Sequence, residues 1–552
     1  MVPRGSLRRT AVGALCLAAA MAPLWVSGAT AAPPASNNLT LDVSLPGPFN
    51  GCTYFDAGAN PTSNAVLDLV RPSAFLTNPA GNLVGEGGPI ASAELTSLTP
   101  EVVHYAIASH QTWSDGTAFT GADLIGWWLK ARNLTSVQSD GYRAIASLVD
   151  SKDGLTVTAT FATPYADWNL LFRDVEALGS SSGCSLGAFV HRPSLGPYRV
   201  LSATPARIVL VRDPRWLVAA NRFGRIVLSD DAVIPKSASA KFVGYSLDVN
   251  RAQVVALSSH PSVLSRVGTS SNIEQITFAP ARPFSSRLAV RQALSWSVNR
   301  QSIIDQLFGA VTFSTSVAAS ALYSQGQNNY PGSSGTGPTS QTATTTLKPA
   351  ASVSRLADCP SCAINVLAKN GFHRTATGWA TAGGIALSIH VAVGPSSLDH
   401  AVANRVVRAW SHLGVVVTQV PSTSEVAASV AAATSKVDAA IFARPTVTTA
   451  SFAARSWSGP GYADTYPSGW RSSSTNLFFR QAIVNFNPVA ASSTWLSMDQ
   501  EVLNSFWVRP LFTSPSLLEW SNTMTGVNGS FSVPGLLDQL PTWTTTPPVT
   551  GS

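Results

Sequence analysis

Segments with the two-residue period of a strand and segments with the longer period of a helix interleave along this chain in no regular order. That interleaving is what most restricts its fold. Leu39–Ser44 alternates apolar and polar and runs into the loop Pro46-Gly47-Pro48-Phe49-Asn50-Gly51. Further strands are expected at Val102–Ala108, at Leu155–Phe161 after the turn Lys152-Asp153-Gly154, and at Ile208–Val211. Helices are expected at Asp123–Ala131 and within Leu288–Leu307. The mixture predicts an α/β or α+β protein with mixed sheets. Residues 324–352 differ in kind: Ser, Thr, Gly, Ala and Pro dominate, which predicts a long surface loop inside a lobe. The chain has 552 residues. Single cores stop growing near 250–300 residues, so two or more lobes are expected.

The N-terminus sets the compartment. Arg4, Arg8 and Arg9 precede an apolar run from Ala11 to Val26, and Ala29-Thr30-Ala31 supplies a cleavage pattern, so residues 1–31 read as a signal peptide. The run falls short of the roughly 20 apolar residues that a bilayer span needs. Cys16 lies mid-run behind Leu15, where a lipobox wants a small residue, and a soluble mature form is the expectation. The formal charge is +7, and losing residues 1–31, with three Arg and no acid, leaves +4. No basic block survives, which argues against nucleic acid as a partner. Four cysteines remain: Cys52, Cys184, Cys359 and Cys362. Outside the cytoplasm they read as disulfides, with Cys359–Cys362 a local loop and Cys52–Cys184 a long staple. Cys359-Pro360-Ser361-Cys362 also has the spacing of a redox CxxC, but no buried thioredoxin-like strand precedes it.

Two stretches are informative locally. In Trp113-Ser114-Asp115-Gly116…Thr120-Gly121-Ala122-Asp123, a tight turn leads into a helix with Thr120 as N-cap and Asp123 in the returning position of a capping box. Trp127, Trp128 and Leu124 give that helix its apolar bulk, so the stretch is structural and Asp115 and Asp123 are not catalytic candidates. In Val290-Arg291-Gln292-Ala293-Leu294-Ser295-Trp296-Ser297-Val298-Asn299-Arg300, apolar residues recur at helical spacing. Asn299 reads as a cap before Ile303–Phe308, and Gly309 as the stop.

These stretches, with Gly196-Pro197-Tyr198, Arg212-Asp213-Pro214-Arg215-Trp216, Ala368-Lys369-Asn370-Gly371-Phe372 and Leu413-Gly414-Val415, stand in the order found in one family. The chain thus resembles the family 5 extracellular solute-binding proteins, the peptide- and nickel-binding group of ABC importers, over about residues 39–540. Ala93-Glu94-Leu95, Tyr165-Ala166-Asp167-Trp168 and Pro510-Leu511-Phe512 resemble an envelope-lipoprotein branch of it linked to mannolipid synthesis. The resemblance implies a bilobal, type II periplasmic-binding-protein-like α/β fold with an extra subdomain inserted in the first lobe. The implied division is 32–60 for the first part of lobe I, 61–190 for the inserted subdomain and 191–275 for the second part of lobe I. Lobe II would take 276–508, and 509–552 would return to lobe I. It further implies a binding protein, expected as a monomer, that meets an ABC permease at the outer face of the cytoplasmic membrane. The implied ligand is an oligopeptide or an amphipathic envelope lipid or glycolipid. A scaffold or regulator of lipoglycan synthesis on the same fold is the rival reading.

Chemistry gives no support for catalysis. The sequence holds no G-x-S-x-G elbow, H-E-x-x-H helix, Walker loop or G-x-G-x-x-G fingerprint, and its eight His are scattered without ligand spacing. Neither a metal nor a cofactor is expected. In peptide-binding relatives an acid after a strand like Val437–Ala443 holds the peptide amine. Here Arg444 stands in that region and no carboxylate follows before Asp464. A guanidinium repels an amine and attracts a carboxylate or phosphate, so free peptides are not the expected ligand. Trp457, Tyr462 and Trp470 lie in the Gly/Pro/Ser-rich segment Ser456–Ser474 and, with Arg444 and Asp464, are candidate ligand contacts. They could equally pin a loop to its own lobe. Phe49, Asn50 and Tyr54 are expected to border the cleft.

Overall fold

The computed structural model describes residues 39–545 except 54, 57–59, 135–138, 181–182, 217–222, 231–240, 248, 250, 259, 310–314, 326, 328, 332–357, 447–448, 459–464 and 531. The expected signal peptide, most of the expected loop 324–352, and Tyr54, Tyr462 and Asp464 lie outside the described residues.

A ten-stranded mixed sheet runs through the molecule. In spatial order its strands are Val416–Pro421, Ser388–Val393, Ala439–Pro445, Val263–Phe278, Val508–Ser521, Phe242–Ser246, Thr40–Ser44, Arg225–Ser229, Arg207–Arg212 and Tyr198–Ala203. The predicted first strand is a central one, paired in parallel with a neighbour on each side, and Leu41 and Val43 are fully buried. Parallel neighbours need crossovers. The helix Ser397–Leu413 provides one between Ser388–Val393 and Val416–Pro421. Ser396 and Asp399 cap its start reciprocally, and Gly414 ends it with φ +94°, a conformation in which a side chain would be strained.

The two longest strands, Val263–Phe278 and Val508–Ser521, are antiparallel partners and cross the middle of the sheet. Their register breaks once in a pronounced way: Thr269 faces Pro515 and Ile273 faces Thr513, so residues 270–272 oppose Ser514 alone. Ser270 Oγ donates to the Ser514 carbonyl at 2.8 Å inside this bulge. To one side lies a core of Leu41, Val66, Tyr198, Ile226, Leu536 and Trp543; to the other, one of Phe278, Leu294, Val391, Val406, Trp410 and Leu511.

A separate antiparallel sheet has the order Ile90–Leu98, Glu101–Ile107, Thr156–Phe161, Ile145–Asp150. The helix Gly121–Ala131 packs beside it, started by the predicted capping box. Thr120 N–H donates to Asp123 at 2.9 Å, and the buried Trp113 indole donates to the other Asp123 oxygen at 3.1 Å. The second informative stretch forms two helices, Leu288–Trp296 and Arg300–Phe308, with Asn299 as N-cap of the latter, accepting from Ser302 N–H at 2.8 Å. Cys52 is bonded to Cys184 and Cys359 to Cys362. Cys52, Cys184 and Asp56 lie close together, but with both sulfurs in a disulfide no thiolate is left to bind metal there. Among the described residues no helix is long and apolar enough to cross a membrane.

A third core joins distant parts of the chain. Val103, Tyr105, Trp127 and Phe172, on or beside the four-stranded sheet, share one apolar cluster with Leu322, Trp457, Phe479 and Val502. The helices Ser473–Ile483 and Pro488–Asn504 form the far wall of that cluster. Residues near 140–175 and residues near 450–483 therefore meet directly.

A polar seam as the candidate functional site

Along that meeting line the chain places charge where apolar packing would have been simpler. The strand Ala439–Pro445 delivers Arg444, and the short helix Ala450–Ala454 with the 3-10 turn Arg455–Trp457 delivers Ser451, Arg455 and Trp457. From the other side the helix Ser139–Ala144 brings Asp140, and the turn before Trp168–Leu170 brings Asp167.

Arg455, only 4% exposed, forms an ion pair with Asp140 across the seam and lies with its guanidinium 5.8 Å from the Phe479 ring centre. Ser451 Oγ donates to Asp167, and Ala166 N–H donates to the Ile483 carbonyl at 2.8 Å. Burial pushes the Asp167 carboxyl above its ordinary value, while the Ser451 hydrogen bond and the charge of Arg455 pull it back. Two further buried acids flank the seam. Glu101 accepts from Tyr165 N–H at 2.6 Å and is pushed up to about 7 by burial, against that hydrogen bond. Asp499 accepts from the amides of Ala321 and Leu322 at 2.8 and 3.2 Å and is pushed up to about 6 by burial.

Arg444 is buried and spends its donors locally. Nη2 bonds the Ser456 hydroxyl at 2.6 Å and the Ala453 carbonyl, and the guanidinium lies 4.6 Å from the Trp457 ring centre. Ser456 Oγ in turn donates to the Tyr466 carbonyl, Tyr466 stacks on Phe442, and Ser468 Oγ donates to the Ser456 carbonyl. Arg444 and Trp457 therefore sit together, at 2% and 1% exposure, as the scaffold under Arg455. Trp457 Nε1 has no hydrogen-bond partner, leaving a buried donor.

The other expected contacts are elsewhere. Trp470 is half-buried and stacks on Trp507, with ring centres 6.0 Å apart. Phe49 is buried in the first core, 4.7 Å from the Phe189 ring centre. Asn50 Oδ1 accepts from Cys52 N–H at 3.0 Å and from Ser63 Oγ at 2.8 Å, which shapes the loop leading to the disulfide. Sequence reading passed over Asp140, Ser451 and Arg455. Asp167 was visible only inside Tyr165-Ala166-Asp167-Trp168, with nothing to mark its side chain as facing a cation some 290 residues away. Separated, the two walls would offer carboxylates on one side and a guanidinium with a hydroxyl on the other. That arrangement can grip a dipolar solute; it includes no nucleophile held against a histidine base.

The family described as bacterial extracellular solute-binding proteins, family 5 Middle, matches residues 102–476, roughly two-thirds of the chain. The oligopeptide-binding protein OppA of Mycobacterium tuberculosis is 34% identical over 196 residues, 32% of this chain and 33% of that protein. The probable monoacyl phosphatidylinositol tetramannoside-binding protein LpqW of the same species is 29% identical over 240 residues, 37% of this chain and 36% of that protein. The aligned segments thus span about a third of the length of these relatives. Among solved structures, the periplasmic EDTA-binding protein EppA superposes with a TM-score of 0.80 at 17% identity, covering 93% of this chain and 97% of the other. The type II binding-protein architecture is therefore shared along nearly the whole described chain, including both sides of the seam.

Proposed function

Because the chain belongs to the bacterial extracellular solute-binding proteins of family 5, we propose that it is the exported, monomeric binding component of an ABC importer, holding an oligopeptide-like zwitterion in the opened seam for a membrane permease. The observation that carries this is the pairing of Arg455 with Asp140, beside Asp167, between two parts of the chain that meet face to face. In the shut protein each charge neutralises its neighbour. Once the walls part, an ammonium has Asp140 and Asp167 to bind, and a carboxylate has Arg455. The acids that the Arg444 segment lacks are thus supplied from the facing wall. The bulge at residues 270–272 supports a hinge there, since an irregular ladder bends with less loss of pairing than a regular one. Ligand then favours whichever state it contacts more strongly.

Calorimetric titration with tri- to pentapeptides tests the reading. Binding is expected, and is expected to fail for N-acetylated, C-amidated peptides and in Asp167→Asn. Peptides that do not bind, together with a co-purifying lipid or glycolipid in native mass spectrometry, would transfer the site to an amphipathic envelope molecule.

The directness of the seal supports a second reading, a non-transport scaffold or regulator of lipoglycan synthesis whose seam stays shut. Small-angle scattering that is unchanged by every ligand, with no exchange at the Ala166 amide, would favour it.

A further inference from the structure

Away from the seam, and sharing no residue with it, a groove of about 360 Å³ lies on the second core's surface. One wall is the helix Ser397–Leu413, which contributes Arg405, Arg408 and His412, spaced so that all three share one face. The opposite wall combines Asn299 and Gln306, at the two ends of Arg300–Phe308, with Ile364 of the helix Pro360–Lys369. None of the described residues lining the groove is acidic. Two acids adjoin these walls and are engaged elsewhere: Asp305, on the same helix as Gln306, accepts from Gln301 at 2.9 Å, and Asp358, two residues before Pro360, accepts from Arg300 N–H at 2.8 Å and pairs with the Arg300 and Arg509 guanidinium groups.

Two cations side by side without an anion repel each other. Burial, and then the charge of Arg408, lowers the Arg405 pKa, so Arg405 is held in a setting that disfavours its charge. Its Nη1 donates to the Ala401 carbonyl at 2.8 Å, while its buried Nε has no hydrogen-bond partner. The N-termini of Arg300–Phe308 and Pro360–Lys369 both end at the groove, where Asp358, accepting from Arg300 N–H at 2.8 Å, offsets part of their positive charge. Ser297, Asn299, Ser302 and Gln306 add neutral polar groups, the remaining lining is apolar, and Ile364 is left 42% exposed there. A volume of this size fits a small organic molecule.

We propose that this groove is a second binding site, for an organic anion that has a phosphate or carboxylate head and a short apolar stem. The head lies between Arg405 and Arg408, and the stem covers Ile364. Such a head is carried both by free amphiphiles and by anionic lipids, and the test separates the two.

Hexyl phosphate, inorganic phosphate, and phosphatidylcholine vesicles with and without phosphatidylglycerol are titrated into the full chain by calorimetry. Hexyl phosphate is expected to bind more tightly than inorganic phosphate, and more weakly as salt rises. Arg408→Gln changes an exposed side chain and is expected to weaken hexyl phosphate about tenfold, the scale of one charge-assisted hydrogen bond. Ile364→Glu, which places a like charge against the head, is expected to weaken it at least as much. Binding of hexyl phosphate identifies a free amphiphile as a sufficient ligand. Binding confined to phosphatidylglycerol vesicles, and lost in Arg408→Gln, assigns the head to a membrane lipid. Binding of hexyl phosphate that is indifferent to both substitutions, or silence from every probe, overturns the proposal.

Discussion

Arg455→Gln should open the seam measurably while leaving the rest of the protein folded. The guanidinium side chain is 3% exposed and its partner Asp140 10%, so the pair is buried rather than solvated. Removing one partner of a buried ion pair costs about 3–5 kcal/mol, because the remaining charge is left without compensation. Asp140 keeps a second cation, Arg143, three residues along its own helix, and Asp167 keeps the Ser451 hydroxyl, which puts the expected loss near the lower end, about 3 kcal/mol. The Ala166 amide, hydrogen-bonded to the Ile483 carbonyl, reports opening directly. At about 1.4 kcal/mol per tenfold, its native-state hydrogen exchange should accelerate by roughly 100-fold in the variant. Amides of the strand Thr40–Ser44, in another core, should be unchanged. An acceleration below about threefold would refute the reasoning, since under ~1 kcal/mol is what a solvated surface pair contributes. The two walls would then already stand apart in solution.

Four further outcomes are expected. The Glu101 carboxyl, pushed up to about 7 from 4.5, makes the folded state hold a proton that the unfolded chain has released. Its contribution is therefore full below pH 4.5 and lost as pH rises through about 7. This amounts to about 3 kcal/mol in total, and urea midpoints of Glu101→Gln against pH should lack that fall. Replacing Cys52 and Cys184 by Ser frees a loop closed across 132 residues, and chain entropy puts the loss near 5 kcal/mol, read as a drop in denaturation midpoint that reductant reproduces in the parent protein. The same change at Cys359 and Cys362, only three residues apart, should cost about 2 kcal/mol or less. Asp123→Ala removes a helix cap and strands the buried Trp113 indole N–H, so a loss of about 3 kcal/mol is expected from the same denaturation series.

Sequence by itself determined what depends on neighbours along the chain. The capping box at Thr120 and Asp123, the cap at Asn299, the helix stop at Gly309 and the strand at Leu41 and Val43 follow from interactions a few residues long, and periodicity or side-chain chemistry reveals such interactions directly. The order of these landmarks sufficed to identify the family. Spacing also favoured one of the three possible pairings of the four cysteines, Cys359 with Cys362 and Cys52 with Cys184, without excluding the other two, and that pairing is the one present.

The candidate site depended on contacts that no local pattern encodes. Arg444 and Trp457 look from the sequence like a cation and an aromatic free to meet a ligand. Tertiary structure spends them on each other and on nearby carbonyl and hydroxyl groups. The charges that face each other, Arg455 with Asp140 and Asp167, come from positions about 290 to 315 residues apart. A carboxylate's sequence neighbours say nothing of which cation burial will force beside it. Burial alone decides whether such a charge is a solvated decoration or half of a latch, because only away from water does losing its partner become costly.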